Sequence, residues 1–294
     1  MEPLELISKR QASWSTTANQ LKATLDRVRS ITFALSIGGA VLASVASQQD
    51  GETVRRGFAI AGAIALAVAT FLAARLAAAA QVAAWTRARA VAEALKREAF
   101  KFAVRAAPYD DAGAPAALIQ EKKLIEDGAD DLIGKLVDTG KVGSAPSAII
   151  APEEYINKRV KGQIQDYYRK NADEFSGVLS RLRKTEFVLA LAATVLTAIV
   201  GTLQKYPVSG FHFDLAALTA VLTTVAALIL THIEASKYEF LVTTYRATAR
   251  RLEDALLTLP NPLTAPSKQW SEFVERCEAI IAAENNSWVA KWVR

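Results

Sequence analysis

Four windows of 18 or 19 residues carry no Asp, Glu, Lys or Arg, and they constrain the fold more than any other feature of the chain. They cover residues 31–49, 57–74, 187–204 and 215–233. A helix needs about 20 apolar residues to cross roughly 30 Å of hydrocarbon. A buried helix of a soluble protein is the alternative, but such a helix normally has one polar face, and these windows have none. The pattern therefore predicts an all-α membrane protein.

Short loops join the windows in pairs, so each pair predicts a two-span helical hairpin. The loops cover residues 50–56 and 205–214. Of the 35 Lys and Arg residues, only Arg55, Arg56 and Lys205 lie in them. Because basic segments tend to remain in the cytoplasm, both termini and the long middle segment are predicted to be cytoplasmic.

Basic residues also precede the first and third windows, where they form a predicted inner-leaflet collar. The collar consists of Arg27, Arg29, Arg181, Arg183 and Lys184. Anionic lipids attract cations at this depth, so the lipid bilayer is the expected partner. The concentration of Lys and Arg on the predicted cytoplasmic side of the membrane explains the net charge of +5. Nucleic-acid binding is the alternative source of a basic excess, and we expect no specific nucleic-acid partner.

The two halves of the chain resemble each other. An offset of 154 residues aligns Trp14 with Tyr168, Ala18 with Ala172, Arg27 with Arg181 and Arg29 with Arg183. A weaker offset of 160 residues aligns Val82 with Val242 and Trp85 with Tyr245. Chance similarity among alanine-rich helices is the alternative. Since each half has an even number of spans, the pattern predicts a parallel repeat.

The domain organisation follows from the repeat. We predict a two-span domain over residues 1–110, a linker over 111–153 with a short helix at 116–126, and a second two-span domain over 154–294. Polar helices are expected to continue the spans over residues 5–30, 75–106, 156–185 and 234–258 and to pair as a cytoplasmic bundle. A C-terminal amphipathic helix, with Trp270, Phe273, Val274 and Cys277 on its apolar stripe, is expected to pack on that bundle.

Two local segments resemble a known family. Residues 89–102, followed by Pro108 and Tyr109, are similar to the segment after the hairpin in one subfamily of the SLATT superfamily, the DUF4231-like proteins. Phe273, Val274, Glu284 and Trp288 are similar to the end of a companion subfamily. The resemblance implies tandem two-span effector domains in a bacterial inner membrane. It further implies a pore that harms the cell when a signalling partner or a nucleotide signal activates it, as in anti-phage defence.

A pore would need more helices than one chain supplies, so a homo-oligomer is expected. Gly38, Gly39 and Gly62 permit close helix approach in lipid. The candidate pore-lining hydroxyls are those of Ser36, Ser44, Thr194, Thr197, Thr219 and Thr223. The alternative is that these hydroxyls bond to the backbone carbonyl one turn back. His232, at the inner end of the fourth window, is a candidate for gating, with an ordinary interfacial role as the alternative.

Sequence motifs of catalysis are lacking. The chain has one cysteine, Cys277, two histidines, and neither a phosphate-binding loop nor a nucleophile elbow. We therefore expect no catalytic residue, no metal site, no cofactor and no enzymatic activity. An oligomeric pore or ion channel is the first functional hypothesis. A non-conducting membrane scaffold or sensor, anchored by the hairpins, is the alternative.

Overall fold

The fold is described by a computed structural model for residues 2–76, 79–203, 215–261, 263 and 265–293. Within these ranges the regular structure is helical and contains no strand, which confirms the predicted all-α class. The predicted second hairpin loop at residues 205–214, with Lys205, lies outside the described residues.

The first half begins with a long unbroken helix. Helix α1 covers Pro3–Ser47, so the polar segment runs directly into the first window, as predicted. Helix α2 covers Glu52–Leu76, and α3 covers Ala79–Ala103. The sequence predicted helix as far as residue 106, but α3 ends earlier because Arg105 has a left-handed backbone with φ 52°. That conformation is uncommon for a residue with a side chain and stops the helical ladder.

The middle segment is folded against α1 and α3. Helix α4 covers Ala114–Asp127, slightly longer than the predicted 116–126, and has Pro115 in its first turn, where proline is tolerated. A short 3₁₀ helix, Asp130–Lys135, follows. Glu126 Oε1 accepts hydrogen bonds from Trp14 Nε1 at 2.9 Å and Arg10 Nε at 2.7 Å. These bonds fix the end of α4 to α1.

The second half contains two features that the sequence did not predict. After a single turn, α5 at Pro152–Glu154, the helix takes π geometry over Tyr155–Lys161 and Gln163–Arg169 before α6 begins. Helix α6 covers Lys170–Leu203. Runs of π-helix are rare and occur often at functional sites.

The second feature that the sequence did not predict is a break in the helix after the fourth span. Helix α7 covers Leu215–Ser236 and α8 covers Tyr238–Leu256, and Lys237 lies between them with φ 54°. The prediction that residues 234–258 continue the span without a break is therefore wrong at this residue. A left-handed backbone is uncommon for a residue with a side chain, and at Lys237 it separates α7 from α8.

The last helix, α9, covers Lys268–Val293. Ser267 caps it, since its Oγ accepts a hydrogen bond from the Trp270 backbone N–H at 3.2 Å. The predicted apolar stripe is buried: Trp270, Val274 and Cys277 are each 0% exposed. This confirms that the face packs inward.

The chain divides into two compact units, each built from both halves. The bundle unit comprises Met1–Leu25, Ala79–Asp173 and Val242–Arg294. The span unit comprises Asp26–Ala78 and Glu174–Leu241. These units are defined by contacts between residues. They differ from the predicted domains 1–110, 111–153 and 154–294, which were defined by the internal sequence repeat. The domain bounds remain a prediction.

Aromatic and apolar side chains form the core of the bundle unit. Trp14 and its repeat partner Tyr168 are 0% and 1% exposed, and Trp85 and its partner Tyr245 are 2% and 3% exposed. Large aromatic side chains dominate the burial energy of a core. Positions paired by the two offsets therefore have the same packing role, which supports the internal repeat.

The span unit has the opposite surface. Large apolar side chains are more than half exposed on its helices, among them Ile60, Ile64, Phe71, Phe187 and Val188. The described helices include four that are long and apolar enough to cross a membrane. A soluble protein rarely exposes so much contiguous apolar surface. The chain is a membrane protein whose apolar helices contact lipid.

Candidate functional site

Two glycines bring the first two spans together within the span unit. A Cβ built on Gly39 would lie 3.2 Å from the Gly62 carbonyl oxygen and 2.7 Å from Leu66 Cγ. A Cβ built on Gly62 would lie 3.1 Å from the Gly39 carbonyl oxygen. The predicted close approach is therefore confirmed for these two residues. A Cβ at Gly38 would meet nothing within 4 Å, so Gly38 takes no part in this contact.

The four candidate threonines of the third and fourth spans all bond to their own helices. Their Oγ1 atoms donate to the carbonyl four residues back at 2.8–3.0 Å: Thr194 to Ala190, Thr197 to Ala193, Thr219 to Leu215 and Thr223 to Thr219. The sequence left this arrangement open as the alternative. Because each oxygen can still accept a hydrogen bond from water, pore lining remains a prediction.

The candidate serines lie on α1. Ser36 and Ser44 are both half-buried in the span unit, and the Ser44 carbonyl accepts a hydrogen bond from Ser47 Oγ at 2.7 Å. Their predicted pore-lining role also remains a prediction.

His232 packs among aromatic rings within the span unit. Its ring stacks on Phe33 with a centroid distance of 4.6 Å and an interplanar angle of 27°, and the Tyr238 ring lies 6.3 Å away. The contact with Phe33 joins the fourth span to the first. Packing of this kind gives His232 a structural role, and its gating role remains a prediction.

All five collar residues belong to the span unit. Arg27, Arg181, Arg183 and Lys184 are exposed, and Arg29 is half-buried. Arg183 forms an ion pair with Glu239. The predicted contact of the collar with headgroups therefore involves mostly accessible side chains.

A buried ion pair lies in the bundle unit, and the sequence did not identify it. Arg159 Nε and Nη2 donate to Glu278 Oε1 and Oε2 at 2.9 and 2.8 Å, and the two side chains are 1% and 0% exposed. Tyr155 also donates to Oε1, at 3.1 Å, and the guanidinium lies 4.7 Å from the centre of the Phe100 ring. Charge-assisted bidentate pairs of this type are strong and directional.

Further charged groups surround this pair, and the set is called here the buried charge cluster. It consists of Arg89, Glu93, Lys96, Arg159, Glu278 and Glu284. Burial raises the pKa of Glu284 to about 7 against the opposing effect of Arg89, and Glu93 adds to the rise. Although burial raises the pKa of Glu93, the charges of Lys96, Arg159 and Arg89 hold it below the ordinary value. Burial and the charge of Arg159 lower the pKa of Lys96.

A small cavity of about 180 Å³ borders the cluster. Glu93, Arg97, Arg159, Glu278 and Asn285 are among its lining residues. Asn285 Oδ1 and Glu284 Oε1 are buried polar atoms without a hydrogen-bond partner in the described part of the chain. Of these two residues Asn285 lines the cavity, where a water molecule would satisfy its Oδ1 atom.

One sequence signal pointed toward the ion pair. Glu278 lies four residues after Val274 and three before Ile281, which places a carboxylate on the apolar stripe of α9. A carboxylate at such a position needs a buried cation as partner. Nothing local to α9 distinguishes Arg159 from the other basic residues, so the partner was not predictable.

The described residues give little support for a metal site or for a reactive cysteine. Over these ranges no group of three or more His, Cys, Asp or Glu side chains is arranged to hold a metal ion. Cys277 is buried, and burial raises the pKa of its thiol to about 12, which leaves little reactive thiolate at neutral pH. The absence of metal, cofactor and catalytic residues remains an expectation.

Comparison with protein families gives two matches. Residues 155–288 match the family model described as SMODS and SLOG-associating 2TM effector domain 1, or SLATT_1. Residues 12–116 match DUF4231, a protein family of unknown function. Comparison with curated proteins and with solved structures found no match. Each matched region contains one pair of apolar windows. The chain therefore contains a SLATT-type two-span domain at residues 155–288 and a DUF4231 domain at residues 12–116, arranged in tandem.

Proposed function

We propose that the protein is an oligomeric membrane pore or ion channel that acts as an effector, opened by a signal at the bundle unit. The observation that carries this proposal is the match of residues 155–288 to a two-span effector domain. An effector made of four spans and a compact polar bundle acts most directly by changing what crosses the membrane.

Self-association follows from the number and surface of the spans. One chain supplies four spans, which is too few to surround a wide aqueous path. Exposed Phe187 and Val188 on α6 and exposed Phe71 on α2 offer surface for lipid or for a second copy. A closed ring of identical chains is the usual arrangement of such oligomers. The axis would be lined by hydroxyls of α6 and α7, of which Thr194, Thr197 and Thr223 are exposed in the single chain.

The bundle unit is the proposed receiver of the signal. Helix α1 contributes residues to both units, with the division after Leu25. Helix α6 does the same, with the division after Asp173. Arg159 of the buried charge cluster lies on the π-helical segment that leads directly into α6, so a rearrangement there would act on backbone that continues into the third span. The signalling partner or nucleotide implied by the family resemblance would bind on this side.

The proposal also covers the membrane, the orientation and the cellular context of the protein. The distribution of Lys and Arg supports a bacterial inner-membrane protein with cytoplasmic termini. Nucleotide signalling or anti-phage defence is the proposed context, and neither enzymatic activity nor specific nucleic-acid binding is part of it.

A non-conducting scaffold or sensor is the second candidate, favoured by one specific observation. All four candidate threonines already donate to carbonyls of their own helices. Residues that satisfy their hydroxyl donors in this way pack as readily against other helices as against water.

Ion flux from liposomes separates the two candidates. The full chain is compared with a variant in which Thr194, Thr197, Thr219 and Thr223 are all changed to valine, which keeps the shape and removes the hydroxyl. Thr70→Val is the matched control, because Thr70 is an exposed threonine of α2 with the same bond to the carbonyl of Leu66. A pore predicts flux in the wild type and in the control and a loss of at least tenfold in the fourfold variant. Equal flux in all three proteins, or no flux in any, contradicts the proposed pore-lining helices.

A further inference from the structure

A second, larger cavity lies within the bundle unit, and it is called here the basic cavity. Its volume is about 510 Å³. Its wall is formed by α3 through Lys96 and Phe100, by the π-helical segment through Lys158 and Arg159, and by the loop at residues 142–150. Small-molecule sites typically have volumes of about 300–1,000 Å³.

The loop that closes the basic cavity is held by contacts on both sides. Ser8 Oγ donates to the Ala145 carbonyl at 2.8 Å in a buried hydrogen bond, and Ile150 N donates to the Ala103 carbonyl at 3.1 Å. At Gly143 the loop approaches α1 so closely that an added Cβ would lie 2.5 Å from Gln11 Oε1. The cavity wall is therefore preformed, which reduces the ordering cost of binding.

Arg159 has an unpaired donor and lies between the two cavities, since it lines both of them. Its Nε and Nη2 atoms bind Glu278, while Nη1 is buried and has no hydrogen-bond partner among the described residues. The side chain is 1% exposed and lines the basic cavity. A buried guanidinium donor is rarely left unpaired, so an acceptor is expected at this position.

The charge of the lining is positive. Lys96 and Lys158 line the cavity together with Arg159, and Glu154 is the acidic residue among the described lining residues. Glu154 is already paired, because its Oε1 accepts a hydrogen bond from Lys158 Nζ at 2.7 Å on the exposed rim. Burial and the charge of Arg159 lower the pKa of Lys96, which is the situation that a bound anion relieves.

We propose that the basic cavity binds a small phosphate-bearing molecule, with Arg159 and Lys96 at its inner end and Lys158 at the rim. Phosphate oxygens accept several charge-assisted hydrogen bonds at once, which suits a guanidinium beside an ammonium. Ser144 and Ser147 add hydroxyls on the loop side. The cavity is larger than a free phosphate, and Val142 and Ile150 supply an apolar wall for the rest of the molecule. The proposal names the chemical class of a signal at the bundle unit, and as a signal it rests on the proposed function, whereas binding itself is measured without any ion flux.

The test measures anion binding to the purified full chain in detergent by equilibrium dialysis at constant ionic strength. The probes are inorganic phosphate, pyrophosphate and adenosine monophosphate, and chloride is the competing anion. We expect saturable binding of at least one phosphate probe, weakened at least tenfold by Lys96→Met and about threefold by Lys158→Gln. Lys170→Met, which removes an exposed lysine of α6 outside the cavity, leaves binding unchanged.

A steric variant keeps the proposal falsifiable if Lys96→Met fails to fold. Ala148 is exposed and lines the cavity, so Ala148→Trp blocks the site without disturbing the core. We expect this variant to lose binding while its melting temperature in the absence of the probe stays unchanged. The proposal is overturned by the absence of saturable binding of any phosphate probe. Equal binding by the wild type and Ala148→Trp would also overturn it, because such binding would occur elsewhere on the surface.

Discussion

Arg159 and Glu278 form a two-bond ion pair across 119 residues of sequence, with both side chains withdrawn from solvent. The pair joins the π-helical segment to α9 inside the bundle unit. Removing one member of a buried pair leaves the other charge without a partner in a medium that solvates it poorly. The pair therefore fixes how these two segments pack. This holds whether or not the pair contributes more to the free energy of unfolding than two apolar side chains would at the same positions.

Breaking this pair is expected to destabilise the bundle unit. Glu278→Ala leaves the Arg159 guanidinium buried and unpaired, and we expect a loss of about 3–5 kcal/mol in the free energy of unfolding. Glu272→Ala is the matched control on the same helix, because the Glu272 side chain is 65% exposed and its change should be within about 0.5 kcal/mol. Thermal and denaturant unfolding of the full chain in detergent measure both variants. Similar losses in the two variants would contradict the assigned role of the pair.

The stability of the bundle unit should fall between about pH 4.5 and pH 7 because of Glu284. Its pKa is about 7 in the folded protein against an ordinary value of 4.5, so the folded state holds this proton more tightly than the unfolded chain. The contribution of this group is complete below about pH 4.5 and is lost as pH rises through 7, a difference of roughly 3 kcal/mol. The lowered pKa of Glu93 has its effect in a different range, because its contribution to stability is present above about pH 4.5 and is lost only at lower pH.

Comparison with Glu284→Gln isolates that contribution, since a neutral amide does not titrate. We expect the melting temperature of the wild type to fall more between pH 5 and pH 8 than that of Glu284→Gln, whereas Glu272→Gln should follow the wild type. Parallel melting curves for the wild type and Glu284→Gln would show that the Glu284 carboxyl titrates as it does in water.

Adjacent glycines of the first span should respond oppositely to alanine. Gly38→Ala adds a methyl group in open space and should stabilise α1 by up to about 1 kcal/mol, the usual helix preference of alanine over glycine. Gly39→Ala places its Cβ 3.2 Å from the Gly62 carbonyl oxygen and 2.7 Å from Leu66 Cγ, so the Leu66 side chain and the Gly62 backbone must shift, at a cost of about 1–3 kcal/mol. Unfolding of the full chain in detergent gives the sign of each change. Stabilisation by both substitutions would contradict the close contact with Gly62.

The sequence predicted the elements that depend on local pattern. The four spans follow from uncharged runs of 18 or 19 residues, and the buried stripe of α9 follows from the spacing of Trp270, Val274 and Cys277. Long polar helices were also predicted because residues 5–30, which lead into the first span, contain neither proline nor glycine. Signals of this kind lie within one continuous segment of the chain and need no knowledge of the tertiary structure.

Other features depend on contacts that no local pattern records. The partnership of Arg159 with Glu278 and the basic cavity beneath the loop at 142–150 both join segments far apart in sequence. The left-handed Lys237 is likewise a tertiary effect, since its backbone conformation is unfavourable for lysine in isolation. Candidate hydroxyls were correctly placed on long apolar helices, but their exposure to water depends on neighbouring copies of the chain.

Single-channel recording of the full chain in a planar bilayer tests the central claim most directly. The account predicts discrete current steps from the wild type and from Thr70→Val, and steps that are at least tenfold smaller or rarer when the four threonines of α6 and α7 are replaced by valine. Membranes that contain verified, folded protein and carry no current, with or without pyrophosphate, would contradict the pore and favour the scaffold.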